Sequence, residues 1–293
     1  MATATRTQFP AGGVPNTKKG FLERMLLKLG LRQTTDDVDI LADFGAYKPL
    51  VRGGRAGKVQ LIKQTIQQLP ASLKEFAHSL SKNSVGTQDL SEFIGNSDVQ
   101  QARARDLGAL FAKYGSDKST DHNYHELYAH LLGDPGRRMN VMEIGLGTNN
   151  TDLASNMGAN AKPGASLRAF RDYLDQSAIY GADVDHRVLF EEERISTYCV
   201  DQTDRSSLRN LSNRLPSEFD LMIDDGLHAP NANIHSLEFF LQRIKIGGHA
   251  VIEDVSTASR TIWEVVHHLI PNRFSMHMVM TKKCLAIVVK REM

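Results

Sequence analysis

Two short segments concentrate the reactive side chains of this chain. Asp224-Asp225-Gly226-Leu227-His228 sets two carboxylates and an imidazole within one turn, and Glu253-Asp254 adds two more carboxylates about 28 residues later. Each follows an apolar run, FDLMI at 219–223 and GHAVI at 248–252, of the kind that forms a buried parallel strand. That interval fits a strand end, a crossover helix and the adjacent parallel strand, which would bring Asp225, Glu253 and Asp254 to one edge of a sheet. Carboxylates packed together raise one another's pKa unless a cation intervenes. An all-oxygen set of this kind suits Mg²⁺ or Mn²⁺, with positions left for water and substrate oxygens. The plainer alternative has Asp224 capping the following turn while Glu253 and Asp254 bind backbone or Arg260.

Three other apolar runs end in the same way. MNVMEI at 139–144 runs into Gly145-Leu146-Gly147-Thr148-Asn149, where glycines allow a tight turn and a close approach by a ligand. AIYGAD at 178–183 ends in Asp183-Val184-Asp185, and a carboxylate there can accept both hydroxyls of a ribose. STYCV at 196–200 ends in Asp201-Gln202-Thr203. Open parallel sheets bind ligands outside the carboxyl ends of their strands. A single loop acid is ordinarily a cap or a solvated surface group, but five consecutive strand ends bearing acids or glycines mark a ligand edge.

The elements that must hold these ends alternate from about residue 105. Helices are expected at 102–113, 125–132, 165–175, 187–193, 205–213, 232–244 and 259–269, interleaved with the strands above. Two last strands, 274–280 and 284–290, are separated only by Thr281-Lys282-Lys283, too few residues for a crossover, so they form an antiparallel hairpin. The fold class is α/β: a mostly parallel seven-stranded sheet with a C-terminal antiparallel hairpin, plus an N-terminal helical region. Two domains are expected: residues 1–100, a helical accessory region with a disordered N-terminus, and residues 101–293, carrying the chemistry. Within the first, residues 1–17 read as disordered, and 18–33 as a basic amphipathic helix with Phe21, Leu22, Met25, Leu26 and Leu29 on its apolar side. Residues 57–82 read as two helices broken at Pro70, and 83–100 as loop.

Composition narrows the classes. The 293 residues carry 35 Lys and Arg against 34 Asp and Glu, a net charge of +1 that leaves no global footprint for nucleic acid. Two distant cysteines, Cys199 and Cys284, exclude a disulfide scaffold and a zinc site built on cysteines. Cys199 is expected inside a buried strand. No apolar run approaches the ~20 residues that span a bilayer, and no secretory signal stands out in the first twenty. A cytoplasmic location and no stable membrane insertion are expected accordingly.

Over 107–293 the chain resembles the class I S-adenosylmethionine-dependent methyltransferases, and within them the metal-dependent O-methyltransferases that act on macrolide sugars. The resemblance rests on KYGSDK at 113–118, EIGLG at 143–147, GASLRAFRDYLDQSAIYGADVD at 164–185, VDQTD at 200–204, FDLMIDDGLH at 219–228 and GGHAVIEDV at 247–255. It implies a Rossmann-like sheet, S-adenosylmethionine as cofactor and a hydroxyl-bearing small-molecule or glycan acceptor. It also implies roles. Glu143, Gly145 and Gly147 would cradle the methionine part of the cofactor. Asp183, less readily Asp185, would hold the ribose, and Asp201 and Gln202 would border the adenine. Asp224 is grouped with these cofactor contacts. The loop from Tyr114 to Lys118, with Ser116, would close over the cofactor. Asp225, Glu253 and Asp254 would bind Mg²⁺, and His228 would be the general base acting beside Asp225. Asn149 replaces the usual third glycine of the loop, and Leu227 stands where a small polar residue is commoner.

His122 and His125 are candidates for the acceptor pocket, whereas His235, His267 and His268 read as surface or packing residues and Trp263 as a core residue rather than a stacking platform. A nicotinamide-dependent enzyme would show a fuller glycine fingerprint than EIGLGTNN and a Tyr/Lys pair. A non-catalytic module would have lost the strand-end acids. A catechol-type enzyme would place Asp-Asn where Glu253-Asp254 stands. The N-terminal apolar helices offer assembly surfaces for a homo-oligomer.

Overall fold

A computed structural model describes Tyr47 and residues 54–80, 85–153 and 155–293. The amphipathic helix expected over 18–33 and the segment before it lie outside the described residues. The chain divides into two compact units, Met1–Ser72 and Leu73–Met293. Most of what is described before β1 is α1 (Arg55–Leu80), a single helix with Pro70 inside it rather than the two helices expected. Proline removes one hydrogen-bond donor, and the good helix formers on either side carry the helix through that gap. Val59 and Ile62 are its buried apolar positions, while Leu61, Ile66, Leu69, Leu73, Phe76 and Leu80 are exposed.

The larger unit is a doubly covered sheet. Its elements are β1 (Thr87–Asp89), α2 (Leu90–Ile94), α3 (Asp98–Tyr114), α4 (Tyr124–Leu132), β2 (Asn140–Ile144), α5 (Ala165–Tyr173), β3 (Ala178–Asp183), β4 (Glu191–Glu192), β5 (Ile195–Cys199), α6 (Arg205–Ser212), β6 (Phe219–Asp224), α7 (Pro230–Leu241), β7 (Ile244–Val255), α8 (Arg260–Leu269), β8 (Phe274–Met280) and β9 (Leu285–Arg291). The strand order is β1-β8-β9-β7-β6-β2-β3-β5-β4. Seven of these strands are those expected. The sheet is wider by two short edge strands, β1 and β4, and a 3₁₀ turn at His186–Val188 and β4 replace the helix expected at 187–193. The stretch 83–100 is likewise not loop throughout, because β1, α2 and the start of α3 fall in it. Three- and two-residue strands are too short to show a period of two in sequence. β9 runs antiparallel between β7 and β8, so the expected hairpin closes one side of an otherwise parallel core.

Alternation along the strands sorts the core into two layers. Val141, Leu221 and Ile223 face Leu107 and Phe111 of α3, Leu127 and Tyr128 of α4, and Leu167 and Phe170 of α5. Met142, Met222 and Ala250 face Leu208 of α6, Leu237 and Phe240 of α7, and Trp263 of α8, the last fully buried as expected. Cys199 is the exception: it is exposed at the end of β5, not inside a buried strand.

Strand register sets which residues meet at the carboxyl edge. Ile144 pairs with Ala182 on one side and Asp224 on the other, Asp224 pairs with Ile252, and Asp183 pairs with Cys199. One residue beyond these pairs lie Gly145, Asp225 and Glu253, side by side.

Candidate active site

A cavity of about 830 Å³ opens at this edge. Its wall includes Ser116, Lys118, Gly145, Gly147, Asp183, Asp201, Gln202, Asp225, His228, Glu253 and Asp254, eleven of the residues singled out from sequence. Tyr114, Glu143 and Asp224 are not in that wall.

Gly145 and Gly147 both have positive φ, 98° and 75°. A Cβ on Gly145 would stand 2.1 Å from the carbonyl oxygen of Asp225, so this loop packs backbone against backbone. Asp183 holds the loop from the neighbouring strand. Its Oδ2 accepts from Leu146 N and its Oδ1 from Asp185 N, both at 2.8 Å. Burial pushes the Asp183 carboxyl up, and these two amides act against that. Asp185 is buried outside the cavity wall. It accepts from Thr148, Asn150 and Arg187, and the Arg187 guanidinium holds it well below the usual carboxylate range.

The next two strand ends brace one another. Gln202 Nε2 donates to Asp224 Oδ1 at 3.0 Å, and Gln202 Oε1 accepts from Leu227 N at 2.6 Å. Asn233 and Gly226 N complete the shell of Asp224, whose carboxyl is pushed up by burial. Asp224, expected among the cofactor contacts, is instead a fully buried scaffold residue beneath the turn. Asp201 folds back on its own turn, accepting from Thr203 N and Thr203 Oγ1.

Lys118 is the feature that sequence reasoning placed least well. Gly115, at φ 80°, ends α3 and turns the chain inward, and the Lys118 side chain is 2% exposed. Its ammonium lies 2.7 Å from Asp225 Oδ2, 2.5 Å from Glu253 Oε2 and 3.2 Å from Glu143 Oε1. Burial alone would lower this ammonium, but the three carboxylates outweigh it and hold it well above its ordinary value. Glu253 is pushed well up by burial and by Asp225, and Glu143 is raised chiefly by burial. The Tyr128 hydroxyl donates to Glu253 Oε1, and the Ser166 hydroxyl to Glu143 Oε2. Glu143, expected to cradle the methionine part of a cofactor, therefore lies buried beneath the cavity. Tyr114, expected over the cofactor, donates to Asp172 Oδ2 outside the cavity wall.

An ammonium, rather than open space, thus stands between Asp225 and Glu253. Among the described residues, the ligand atoms that gather within 4.8 Å of one another are those of Asp225, His228 and Asp254 and, sharing Asp254, those of His122 and Cys284. His228 Nε2 is 3.9 Å from Asp225 Oδ1 and 3.9 Å from Asp254 Oδ2. Non-glycine residues with positive φ are uncommon, and two of the three described here are His228 (55°) and Asp254 (53°). The register against β9 shifts between Ile252 and Val255, so Glu253 and Asp254 both reach the cavity wall where strict alternation would separate them.

The far wall comes from α4 and the turn before it. His122 stacks on Tyr124 at 5.4 Å, and the Tyr124 hydroxyl donates to Asp254 Oδ1 at 2.9 Å. Cys284 Sγ also donates to Asp254 Oδ1, at 2.9 Å, and burial pushes that thiol up to about 11. Burial opposes ionisation of Asp254, but Cys284 and Tyr124 hold its carboxyl below its ordinary value. His125 points elsewhere, against Gly108. His235 Nδ1 meets the Gln202 carbonyl, and His267 and His268 contact each other on α8. Tyr124 and Tyr128 were not singled out as site residues, although their i, i+4 spacing puts both on one helix face.

No protein-family profile matches the chain. The mycinamicin-pathway methyltransferase MycE, solved in complex with Mg, SAH and mycinamicin VI, superposes with a TM-score of 0.52 at 23% identity, covering 64% of this chain and 54% of that one. The chain has the class I methyltransferase fold. In sequence it is 31% identical over 153 residues to the 8-demethyl-8-α-L-rhamnosyl tetracenomycin-C 2′-O-methyltransferase of Streptomyces olivaceus, covering 52% of this chain and 38% of that protein. It is 31% identical over 160 residues to the mycinamicin VI 2″-O-methyltransferase of Micromonospora griseorubida, covering 54% of this chain and 38% of that protein. The matched region spans well under half the length of these relatives. The resemblance read from the motifs to sugar O-methyltransferases therefore holds over the methyltransferase-fold portion.

Two outcomes test this reading of the site. Gly145→Ala is expected to lose about 1–3 kcal/mol of stability in urea unfolding, from a positive φ and a Cβ driven into the Asp225 carbonyl. Lys118→Met leaves the buried Glu143 and Glu253 and the half-buried Asp225 without their cation and is expected to cost about 3–5 kcal/mol at neutral pH. That deficit should narrow as pH falls. Lys118 holds the Glu253 carboxyl down against burial and Asp225, so its removal raises that carboxyl further in the folded form, and acidification favours folding of the variant more than of the unsubstituted protein until the unfolded carboxyls protonate near about pH 4. A deficit independent of pH would contradict the assignment.

Proposed function

We propose that this chain transfers a methyl group from S-adenosylmethionine to a sugar hydroxyl of a glycosylated small molecule, with Mg²⁺ or Mn²⁺ bound beside the acceptor. The observation that carries the reading is one cavity lined both by a positive-φ glycine loop braced by Asp183 and by the Asp225–His228–Asp254 cluster. The cavity volume falls in the range of small-molecule and cofactor sites. The named relatives, which methylate sugars of natural products, support the acceptor class.

When bound, the cofactor supplies an electrophilic methyl group, and the cation lowers the pKa of a coordinated hydroxyl. The loop from Gly145 to Gly147 and Asp183 would hold the first. Asp225 and Asp254 would hold the second, with ligand atoms close enough to share one ion. Glu253, expected in the same shell, is engaged by Lys118 and Tyr128 and acts by fixing them. His228 Nε2 lies beyond hydrogen-bonding distance of both carboxylates and faces the cavity, where it would take the acceptor's proton as general base. Alignment of acceptor oxygen and methyl group supplies the rest of the rate. Gln202 and Asp201 would border the adenine, and Ser116 and Lys118, in the same cavity wall, would close over the cofactor.

We assign this chemistry to residues 101–293 and an accessory role to residues 1–100, with no nucleic-acid partner. Among the described residues, no helix is long and apolar enough to cross a membrane.

Calorimetric titration with S-adenosylhomocysteine is the first test. Binding is expected, weakened about tenfold or more by Asp183→Ala through loss of a charged hydrogen-bond acceptor. With rhamnosylated polyketide acceptors, turnover should stop on chelation and return with Mg²⁺. His228→Ala should lose roughly 10²–10⁴-fold in kcat while retaining S-adenosylhomocysteine binding. Binding of NAD(P) in place of S-adenosylhomocysteine would overturn the proposal, and near-normal turnover in His228→Ala would remove the base assignment.

A further inference from the structure

The methyl-transfer reading makes no use of Cys284, yet its thiol meets the same carboxylate as the cation cluster. Cys284 Sγ lies 2.9 Å from Asp254 Oδ1 and 3.9 Å from His122 Nδ1, and His122 Nδ1 lies 3.6 Å from Asp254 Oδ1. The three ligand atoms are within 4.8 Å of one another. A tetrahedral ion with a metal–sulfur bond of about 2.3 Å and metal–nitrogen and metal–oxygen bonds of about 2.0–2.1 Å needs its ligands roughly 3.3–3.6 Å apart. The observed separations bracket that spacing.

The three residues come from separate parts of the chain: the turn before α4, the irregular end of β7 and the turn between β8 and β9. Each is held from outside the trio. His122 stacks on Tyr124, Tyr124 donates to Asp254, and the Thr281 hydroxyl lies 3.6 Å from Cys284 Sγ. The two oxygens of Asp254 face different partners, Oδ1 towards His122 and Cys284 and Oδ2 towards His228. A thiolate and an imidazole select zinc-like ions over Mg²⁺, which prefers oxygen.

We infer that His122, Asp254 and Cys284 form a binding site for a thiophilic divalent cation of the zinc type, distinct from the Asp225–Asp254 oxygen site. Three protein ligands leave a fourth position open towards the cavity that His122 and Asp254 line. On binding, the Cys284 S–H bond breaks, its proton leaves to solvent, and the sulfur lone pair forms the bond to the ion without redox change. The hydrogen bond from Cys284 to Asp254 gives way to coordination. Because Asp254 belongs to both groups, occupancy of one site alters affinity at the other.

The test is optical. Full-length reduced, metal-free protein is titrated with Co²⁺ in the presence of excess Mg²⁺. A saturable sulfur-to-cobalt charge-transfer band at one Co²⁺ per chain, bleached by stoichiometric Zn²⁺, is expected. The band should survive Cys199→Ser and vanish in Cys284→Ser, and His122→Ala should weaken Co²⁺ binding about tenfold or more. Absence of the band from the unsubstituted protein overturns the inference whatever the folding of the variants, and so does a band lost in Cys199→Ser. The readout is absorbance, so its failure is separable from any failure of methyl transfer.

Discussion

Three adjacent strands each deliver a carboxylate to one buried ammonium. Glu143 on β2, Asp225 after β6 and Glu253 on β7 surround Lys118 Nζ within 2.5–3.2 Å. Desolvated charges are tolerable only when paired and hydrogen-bonded, and breaking such a set costs more than forming it returns. The cluster still holds more negative than positive charge. Burial first, and then that surplus, raise the pKa of Glu253, and two hydroxyl donors close around the cluster, Tyr128 on Glu253 and Ser166 on Glu143. The helix that brings Tyr128, the loop that brings Lys118 and the centre of the sheet are thereby tied to one another. The cavity is the space above this knot.

The remaining strand-end acids divide by what their neighbours offer. A chain leaving a strand has backbone N–H groups with no ladder partner, and buried ones must be satisfied. Asp183 and Asp224 take those amides, and Asp185 caps the turn after β3. Asp254 reaches the cavity wall because its own left-handed backbone and a break in register turn the chain there, and Asp225 lines the same wall. Scaffold and chemistry are therefore built from the same residue type at equivalent positions.

Much of the fold was legible because it is periodic. The seven longer strands, the hairpin and the ligand edge are readable from apolar runs, their spacing and the short Thr281–Lys283 turn. Edge strands of two and three residues carry no period, so β1 and β4 were not. Pro70 reads locally as a break, yet one lost donor does not outweigh good helix formers on both flanks. Cys199 reads as buried from the apolar company around it, and is exposed because it ends β5 at the carboxyl edge. Eleven site residues reach one cavity wall, while Tyr114, Glu143 and Asp224 do not, because each is one step away from the turn that faces the ligand.

What the sequence by itself determined is the set of strand ends and the residue types they carry, since these depend on local pattern and on glycines where the backbone needs them. Which carboxylates share a proton, a cation or an amide was decided only in three dimensions. Lys118 is over one hundred residues from Asp225 and Glu253, and Cys284 and His122 are farther apart still. No spacing rule reaches across such distances. The sheet's register and the packing of α3 and α4 against it set those contacts, and with them the chemistry the cavity can support.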